Sequence, residues 1–365
     1  MTSASARILI DLDALADNYR VLAELCRPGE TAAVVKADAY GLGAGNVVQH
    51  LLRVGCRSFF VATAEEGRAV RDLTTEADIY VLAGPTGTDQ TVFLQHSLIP
   101  VLNDAPQLER WQANSMDEAP VLHVDTGMSR LGLPWDQPLP RAVRETPPRL
   151  LMTHLACADE PGHPLNRLQL ERFEAFCRGF PDTPVSIGNS AGVLLGQSSR
   201  GDLTRPGIAL YGANPLHTTS ASTLGAKERK ALDTLRPVVT FEAEVLQMKT
   251  IRPGESIGYG ATRQVNLDTT LAVVGAGYAD GLPRLLSNRG WVAWRDTRLP
   301  ILGRVSMDFM VVDATPVKQQ LRPGDWLELF GTHIAVEDVA EWAETISYEI
   351  LTGLGQRPER VYLRQ

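Results

Sequence analysis

Residues 31–45 read TAAVVKADAYGLGAG: an apolar run, Ala32–Val35, that ends abruptly in a lysine and a glycine-rich polar loop. A short, continuously apolar run is the signature of a strand buried on both faces, as in a parallel sheet covered by helices. The same grammar recurs at Ser58–Ala62, Ile79–Leu82, Ile99–Leu102, Pro120–Val124, Leu150–Thr153, Pro184–Ile187 and around Leu203. Helical stripes separate several of these runs. Leu15, Tyr19, Leu22 and Cys26 repeat at i, i+4, i+7 and i+11, with Asp13 as the expected N-cap. Val47, Val48, Leu51 and Leu52 form a second stripe, and Leu168, Phe173 and Phe176 a third, after Asn166. Eight strand–helix repeats in about 200 residues suit a closed (β/α)8 barrel, an α/β fold. An open doubly wound sheet is the alternative.

Beyond Pro237 the pattern changes. Val238–Val245, Leu271–Val274, Trp291–Trp294, Pro300–Ile301, Met310–Val312 and Trp326–Leu329 are strand-like, with turn signals at Arg252-Pro253-Gly254 and Arg322-Pro323-Gly324. The expected division is a barrel over 1–235 and a mainly-β domain over 236–365, with a short helix near Val336–Thr345. Residues 1–11 precede the first barrel helix, lack a barrel partner and are a candidate for pairing with the second domain.

Composition narrows the function. The 365 residues are 44% hydrophobic and 21% charged, which supports a sizeable core. Thirty-five Lys and Arg against 43 Asp and Glu leave a net charge of −8, so phosphate backbones and anionic membranes are poor partners. No apolar stretch reaches the ~18 residues of a spanning helix, and the first residues turn acidic too early for a signal peptide. The four cysteines show no C-x-x-C spacing, and the seven histidines no H-x-H or H-x-x-x-H pair, so no metal site is expected. The reading is a cytoplasmic enzyme.

Barrel enzymes work at the C-terminal ends of their strands, and the polar residues of this chain gather there. Lys36 follows the first strand. An amine held against apolar neighbours loses basicity and becomes a nucleophile, although a strand-end lysine that snorkels to solvent reads the same way. Asn103, Asp125, Thr126, Arg130, His154, Asn189 and Ser190 occupy equivalent positions; His154 also reads as a core histidine and Ser190 as a helix cap. Pro206-Gly207 opens the run RPGIALYG, where free backbone amides favour an anion. Tyrosines stand in the glycine-rich segments IGYGATR (257–263), GYADGLPR (277–284) and SYEILTGLG (347–355), where half-buried packing is the plainer role.

Taken in order, AVVKADAYG, HVDTGMSRLG, GNSAG, RPGIALYG, IGYGATR, GYADG, SMDFMVVD and YEILTGLG resemble the blocks of the pyridoxal-phosphate-dependent alanine racemase family over essentially the whole chain. That resemblance implies a barrel joined to a C-terminal β domain. It implies that Lys36 forms the Schiff base to pyridoxal 5'-phosphate, with Tyr40, Ser190, Tyr348 and the amides of Gly207 and Ile208 at the phosphate. Asn189 belongs to the same cofactor set, His154 lies by the ring and Arg205 faces its nitrogen. Lys36 and Tyr259 become the two bases of an L-alanine/D-alanine interconversion, Arg130 and Met307 hold the substrate carboxylate, and Asp159, Tyr278 and Arg284 line the entrance. A homodimer with shared active sites, supplying D-alanine for peptidoglycan or degrading it, follows from the same resemblance. The chain departs from the family at His123, where some members carry an often carbamylated lysine, and also at Leu42 and Ser306. A broader serine racemase of the same plan, a basic amino-acid decarboxylase, a non-catalytic cofactor carrier and a metal-dependent barrel hydrolase are the competing readings.

Overall fold

A computed structural model of the chain describes residues 4–87, 90–113, 119–138, 143, 148–216 and 223–364. Of the seven histidines, His217 lies outside them. The chain divides into two units, one of residues 15–210 and 214–235, the other of residues 1–14, 211–213 and 236–365.

The chain opens on β1 (Ala6–Asp11), which belongs to the second unit. The first unit is the barrel. Its staves are β2 and β3 (Glu30–Thr31 and Ala33–Val34, one stave interrupted at Ala32), β4 (Ser58–Val61), β5 (Asp78–Val81), β6 (Ile99–Leu102), β7 (Val121–Asp125), β9 (Leu150–Met152), β10 (Val185–Ser186) and β11 (Leu203–Thr204), with a side strand β8 (Leu133–Pro134) on β7. All eight expected runs are strands. They pair in parallel in the order β10-β9-β7-β6-β5-β4-β3. Closure comes from β11 on β2, with Leu203 opposite Glu30 and Thr204 opposite Thr31. On the other flank, Asp202 N donates to Val185 O at 2.7 Å and Arg205 N to Gly188 O at 2.7 Å. A closed ring excludes the open doubly wound sheet.

Strands β4 and β6 are buried at every position, as both faces of a barrel stave demand. Phe60 stacks on Tyr80 with ring centroids 4.5 Å apart. The helix Leu12–Cys26 buries Leu15, Tyr19, Leu22 and Cys26 as its spacing requires. Its cap is Asp11, whose Oδ1 accepts from Ala14 N at 2.8 Å, and not Asp13, which falls inside the first turn. In the helix Pro164–Cys177 the cap is His163, and Leu168 points outward at 40% exposure; Gln169 takes the buried place beside Phe173 and Phe176. The run after Pro206 is a four-residue 3-10 turn, Ile208–Tyr211, and not a full helix.

The second unit is built on β12 (Val239–Ile251), a 13-residue strand whose register breaks between Val245 and Gln247. The break lets one strand serve two layers, since a bulge bends its strand and increases the twist. The remaining strands are β13 (Ser256–Ile257), β14 (Arg263–Gln264), β15 (Thr269–Val274), β16 (Trp291–Trp294), β17 (Thr297–Pro300), β18 (Met310–Asp313), β19 (Trp326–Phe330) and β20 (Glu359–Leu363). The first half of β12 pairs with β1 and β19, and the second half pairs antiparallel with β15, which carries β18. Strand β1 lies between β12, antiparallel, and β20, parallel. Ile8 and Ile10 are fully buried there, and Phe241 meets Phe330 edge-on at 5.8 Å. Strand β17 begins three residues before the run expected at Pro300–Ile301, and the helix expected over 336–345 ends at Trp342. No described helix is long and apolar enough to cross a membrane.

Candidate active site

Lys36 follows β3 after one residue, Val35, and opens a rare backbone feature. Ala37, Asp38, Ala39 and Tyr40 all have φ between 52° and 59° and ψ between 35° and 51°, a complete left-handed turn without a glycine in it. Each L-residue in that region costs about 1–2 kcal/mol, so surrounding contacts must hold the turn. They do so at both ends. Ala37 N donates to Glu66 Oε1 at 2.7 Å, Ala44 N to Asp38 Oδ1 at 2.7 Å, and Ala39 N to Val35 O at 2.9 Å. The turn carries Tyr40 inward, where it is buried against Gly207; a Cβ on Gly207 would collide with the Tyr40 hydroxyl.

Burial, and then the positive charge of Arg130, hold the Lys36 amine below the ordinary lysine range, while Glu66 pulls it back up. Among the described residues Nζ makes no hydrogen bond or ion pair. Ser190 starts a single helical turn capped by Asn189, whose Oδ1 accepts from Gly192 N at 2.8 Å. Its own Oγ accepts from Gly207 N at 2.8 Å and from Ala209 N at 3.2 Å. The Ile208 amide between them has no partner among the described residues, so the 3-10 turn presents an open donor beside a hydroxyl.

Arg205 is the most constrained cation. Nη1 donates to Ser186 Oγ at 2.5 Å, and Nη2 donates to Thr153 O at 2.7 Å and Ile187 O at 3.2 Å, with His154 Nδ1 3.4 Å away. Complete burial pushes its pKa down to about 9, which leaves it charged at neutral pH, and no carboxylate is paired with it among the described residues. The same burial, followed by the charges of Arg205 and Arg130, drives His154 well below its usual range.

His123 lies on β7 with its ring in the barrel. Asn103 donates through Nδ2 to Leu82 O and Val101 O, both at 3.0 Å, so its Oδ1 must face His123 Nδ1 at 2.7 Å. Nδ1 therefore carries the proton and Nε2 a lone pair. Burial first, then Arg205, pushes His123 down to about 4. At the end of β7, Asp125 Oδ1 accepts from Gly127, Met128 and Ser129 N at 2.9, 2.9 and 3.1 Å, which fixes the loop that presents Arg130. Asp159 lies in the loop after β9.

The other expected site residues, Tyr259, Tyr278, Arg284, Met307 and Tyr348, all belong to the second unit. Tyr259 is 72% exposed and Met307 52%. The loops of Tyr278 and Met307 are pinned together. Tyr278 N donates to Ser306 O and Ala279 N to Met307 O, both at 3.0 Å, an approach so close that a Cβ on Gly277 would strike both acceptor residues. The Arg357 guanidinium grips both oxygens of buried Asp280 at 2.9 Å and reaches Asp308 at 2.7 Å. The Met307 amide is left with no partner among the described residues. Neither Arg357, Asp280 nor Glu66 stood out in the sequence, because an isolated arginine or carboxylate in a polar stretch carries no signal of its partner.

Pyridoxal phosphate fits these residues on three observations. A partly buried amine has no partner of its own, a hydroxyl and an open amide face each other at a helix start, and a buried cation has only neutral acceptors. Among the described residues no group of three His, Cys, Asp or Glu is gathered as metal ligands would be.

Comparison with known proteins agrees. Residues 10–215 match the family model described as alanine racemase, N-terminal domain, and residues 238–362 the one described as alanine racemase, C-terminal domain. An alanine racemase of Rhodospirillum rubrum is 44% identical over 98% of this chain and 96% of its own length. A catabolic alanine racemase of Agrobacterium fabrum is 42% identical, covering 99% of this chain and 93% of that protein. The crystal structure of alanine racemase from Bartonella henselae with covalently bound pyridoxal phosphate superposes with a TM-score of 0.90 at 38% identity, over 99% of this chain and all of that one. By fold, by both family models and by full-length likeness, the chain belongs to the alanine racemase family.

Proposed function

We propose that this protein interconverts L- and D-alanine using pyridoxal 5'-phosphate bound at Lys36. The observation that carries the reading is the barrel-mouth arrangement of an unpartnered amine of lowered basicity, the Ser190/Gly207/Ile208 cradle and the buried Arg205. When bound, pyridoxal phosphate supplies an aldehyde that condenses with amines and a ring that withdraws electrons from the bond to the α-hydrogen.

The chain's own residues do the rest. Ser190, Tyr40, Tyr348 and the amides of Gly207 and Ile208 hold the phosphate, and Asn189 fixes the turn that carries Ser190. His154 packs by the ring. Arg205 has Nη1 and Nη2 committed to protein acceptors and would be the residue that faces the ring nitrogen; a guanidinium that keeps its proton could only donate there. Racemisation needs a proton taken from one face of the α-carbon and returned to the other, so one base on one face is not enough. Lys36 Nζ moves the proton on one face and Tyr259 Oη on the opposite face. Arg130 and the free Met307 amide bind the carboxylate. Asp159, Tyr278 and Arg284 restrict the approach. His123, neutral and fixed by Asn103, offers Nε2 as an uncharged acceptor, so Arg130 keeps its full charge for the substrate.

The working form is a homodimer in which each subunit lends Tyr259 and Met307 to its partner's site. Large exposed apolar side chains in the second unit support that reading: Tyr259, Leu267, Met307, Phe309 and Ile346 stand 47–75% exposed, as at an interaction surface. The four cysteines, all free thiols, support a cytoplasmic setting. Enantiomers have equal free energies in water, so the enzyme alone sets no direction. The reactions that consume D- or L-alanine decide whether it feeds peptidoglycan or degradation.

An absorbance band at about 420 nm, and a label on Lys36 after borohydride reduction, is the expected result for purified protein. Loss of optical activity of L-alanine, run beside L-serine, then settles the substrate, because a single hydroxyl is discriminated by only about 1–3 kcal/mol. A colourless protein that takes up no added pyridoxal phosphate overturns the proposal.

A further inference from the structure

Glu66 is not among the residues that touch substrate or cofactor in the reading above, yet its carboxylate spans two backbone amides at the barrel mouth. Oε1 accepts from Ala37 N and Oε2 from Ala62 N, each at 2.7 Å. Ala37 is the residue after Lys36 and the first of the left-handed turn; Ala62 directly follows β4, the neighbouring stave. Glu66 is itself held in the first turn of the helix Ala64–Arg71, where its amide donates to Thr63 Oγ1 at 3.3 Å and the helix dipole favours its charge. The carboxylate is thus seated from its own side and reaches across to the one amide that begins the strained turn.

We propose that Glu66 is a positioning residue for Lys36: by bridging Ala37 N–H and Ala62 N–H it locks the left-handed turn against the neighbouring strand and so aims the amine and Tyr40. The inference rests on the assignment of Lys36 as the cofactor lysine. Two consequences separate it from a general packing role. Loss of the bridge frees the Ala37 amide. Loss of the charge changes the basicity of Lys36, because the groups acting on that amine are Arg130, from the loop after β7, which lowers it, His154, from the loop after β9, which stays neutral, and Glu66, which raises it. Without the negative charge the amine is less basic, and the pH at which it becomes free moves down.

Three variants divide bridge from charge: E66Q keeps one acceptor and no charge, E66A keeps neither, and E66D keeps the charge on an arm too short for both amides. Hydrogen exchange of the 36–42 segment is measured on each purified protein. So is the pH dependence with which Lys36, stripped by hydroxylamine, takes up pyridoxal phosphate, followed by absorbance. Exchange is expected to quicken about tenfold or more in E66A and E66D, while helices elsewhere keep their protection. The uptake midpoint is expected to move to lower pH in E66Q and E66A and to stay unmoved in E66D. Wild-type exchange and an unmoved midpoint in both E66Q and E66A overturn the role of Glu66. A wild-type protein that takes up no pyridoxal phosphate overturns the functional reading instead, and exchange of segment 36–42 still decides whether the bridge holds the turn.

Discussion

Two single side chains give sharp expectations. If Lys36 and Tyr259 serve opposite faces of the α-carbon, Tyr259→Phe removes one base and leaves the other. Racemisation should fall by about 10²–10⁴-fold, while one enantiomer still exchanges its α-proton with solvent deuterium. Proton NMR of each enantiomer in D2O reads this directly, and equal exchange of both would sink the two-base assignment. His123 makes a stability expectation. Its pKa falls from 6.5 when unfolded to about 4 in the barrel, so between those values the unfolded chain binds a proton that the folded protein refuses. Stability must therefore drop as pH falls through that window, by up to about 3 kcal/mol from this group. His154, shifted the same way, adds to the slope. His123→Gln should flatten it in urea unfolding curves taken at pH 7 and pH 5, and an unchanged slope would mean that the imidazole is charged in the fold.

Among the elements, the junction of the Tyr278 and Met307 loops is the most exacting. Two backbone hydrogen bonds, the missing Cβ of Gly277 and the Arg357 grip on Asp280 and Asp308 hold the Met307 loop, whose amide has no partner among the described residues. Arg357→Ala releases Asp308 and strands a buried carboxylate at Asp280. If the Met307 amide binds the substrate carboxylate, KM for alanine should rise about tenfold with a smaller change in kcat, because what is lost is the positioning of that group; steady-state kinetics on both enantiomers measures the split. Lysine should restore little, since it cannot grip two oxygens in a fork. These elements also mark how far the sequence could be read. The eight barrel strands were visible because burial on both faces forces continuous apolar runs such as SFFV and IPVL. The left-handed turn was invisible: Ala-Asp-Ala-Tyr has no glycine, and one of the contacts on it comes from Glu66, 29 positions downstream of Ala37. Lys36 and Ser190 could be picked out by position at strand ends. Asn103 could be placed there too, but not its command of the His123 proton, which depends on the carbonyls of Leu82 and Val101. The cap of the first helix was misplaced by two residues for a similar reason, as Asp11 and Asp13 look equally capable until the strand end is known.

At the scale of the molecule, the proposed site residues are split between the two units of the chain, and the dimer proposal turns that split into arithmetic. Subunits carrying Lys36→Ala and subunits carrying Tyr259→Phe should each be nearly inactive alone. Unfolded together and refolded as an equal mixture, about half of the dimers are mixed, and each mixed dimer holds one site with both bases intact. Activity should return to about a quarter of the wild-type level per subunit. No recovery would mean that Lys36 and Tyr259 of one subunit work together.

Strand β1 sits between β12 and β20 with Ile8 and Ile10 fully buried. On the ribosome it is made long before either neighbour: about 230 residues separate it from β12, and more than 100 further ones precede β20. At about 5–20 residues per second, a bare apolar strand waits roughly 10–50 s for its first partner while the barrel that follows it in sequence emerges and folds. Nascent-chain association with chaperones should concentrate on this strand, and anything that slows translation through the β unit lengthens the interval in which it can pair with the wrong chain.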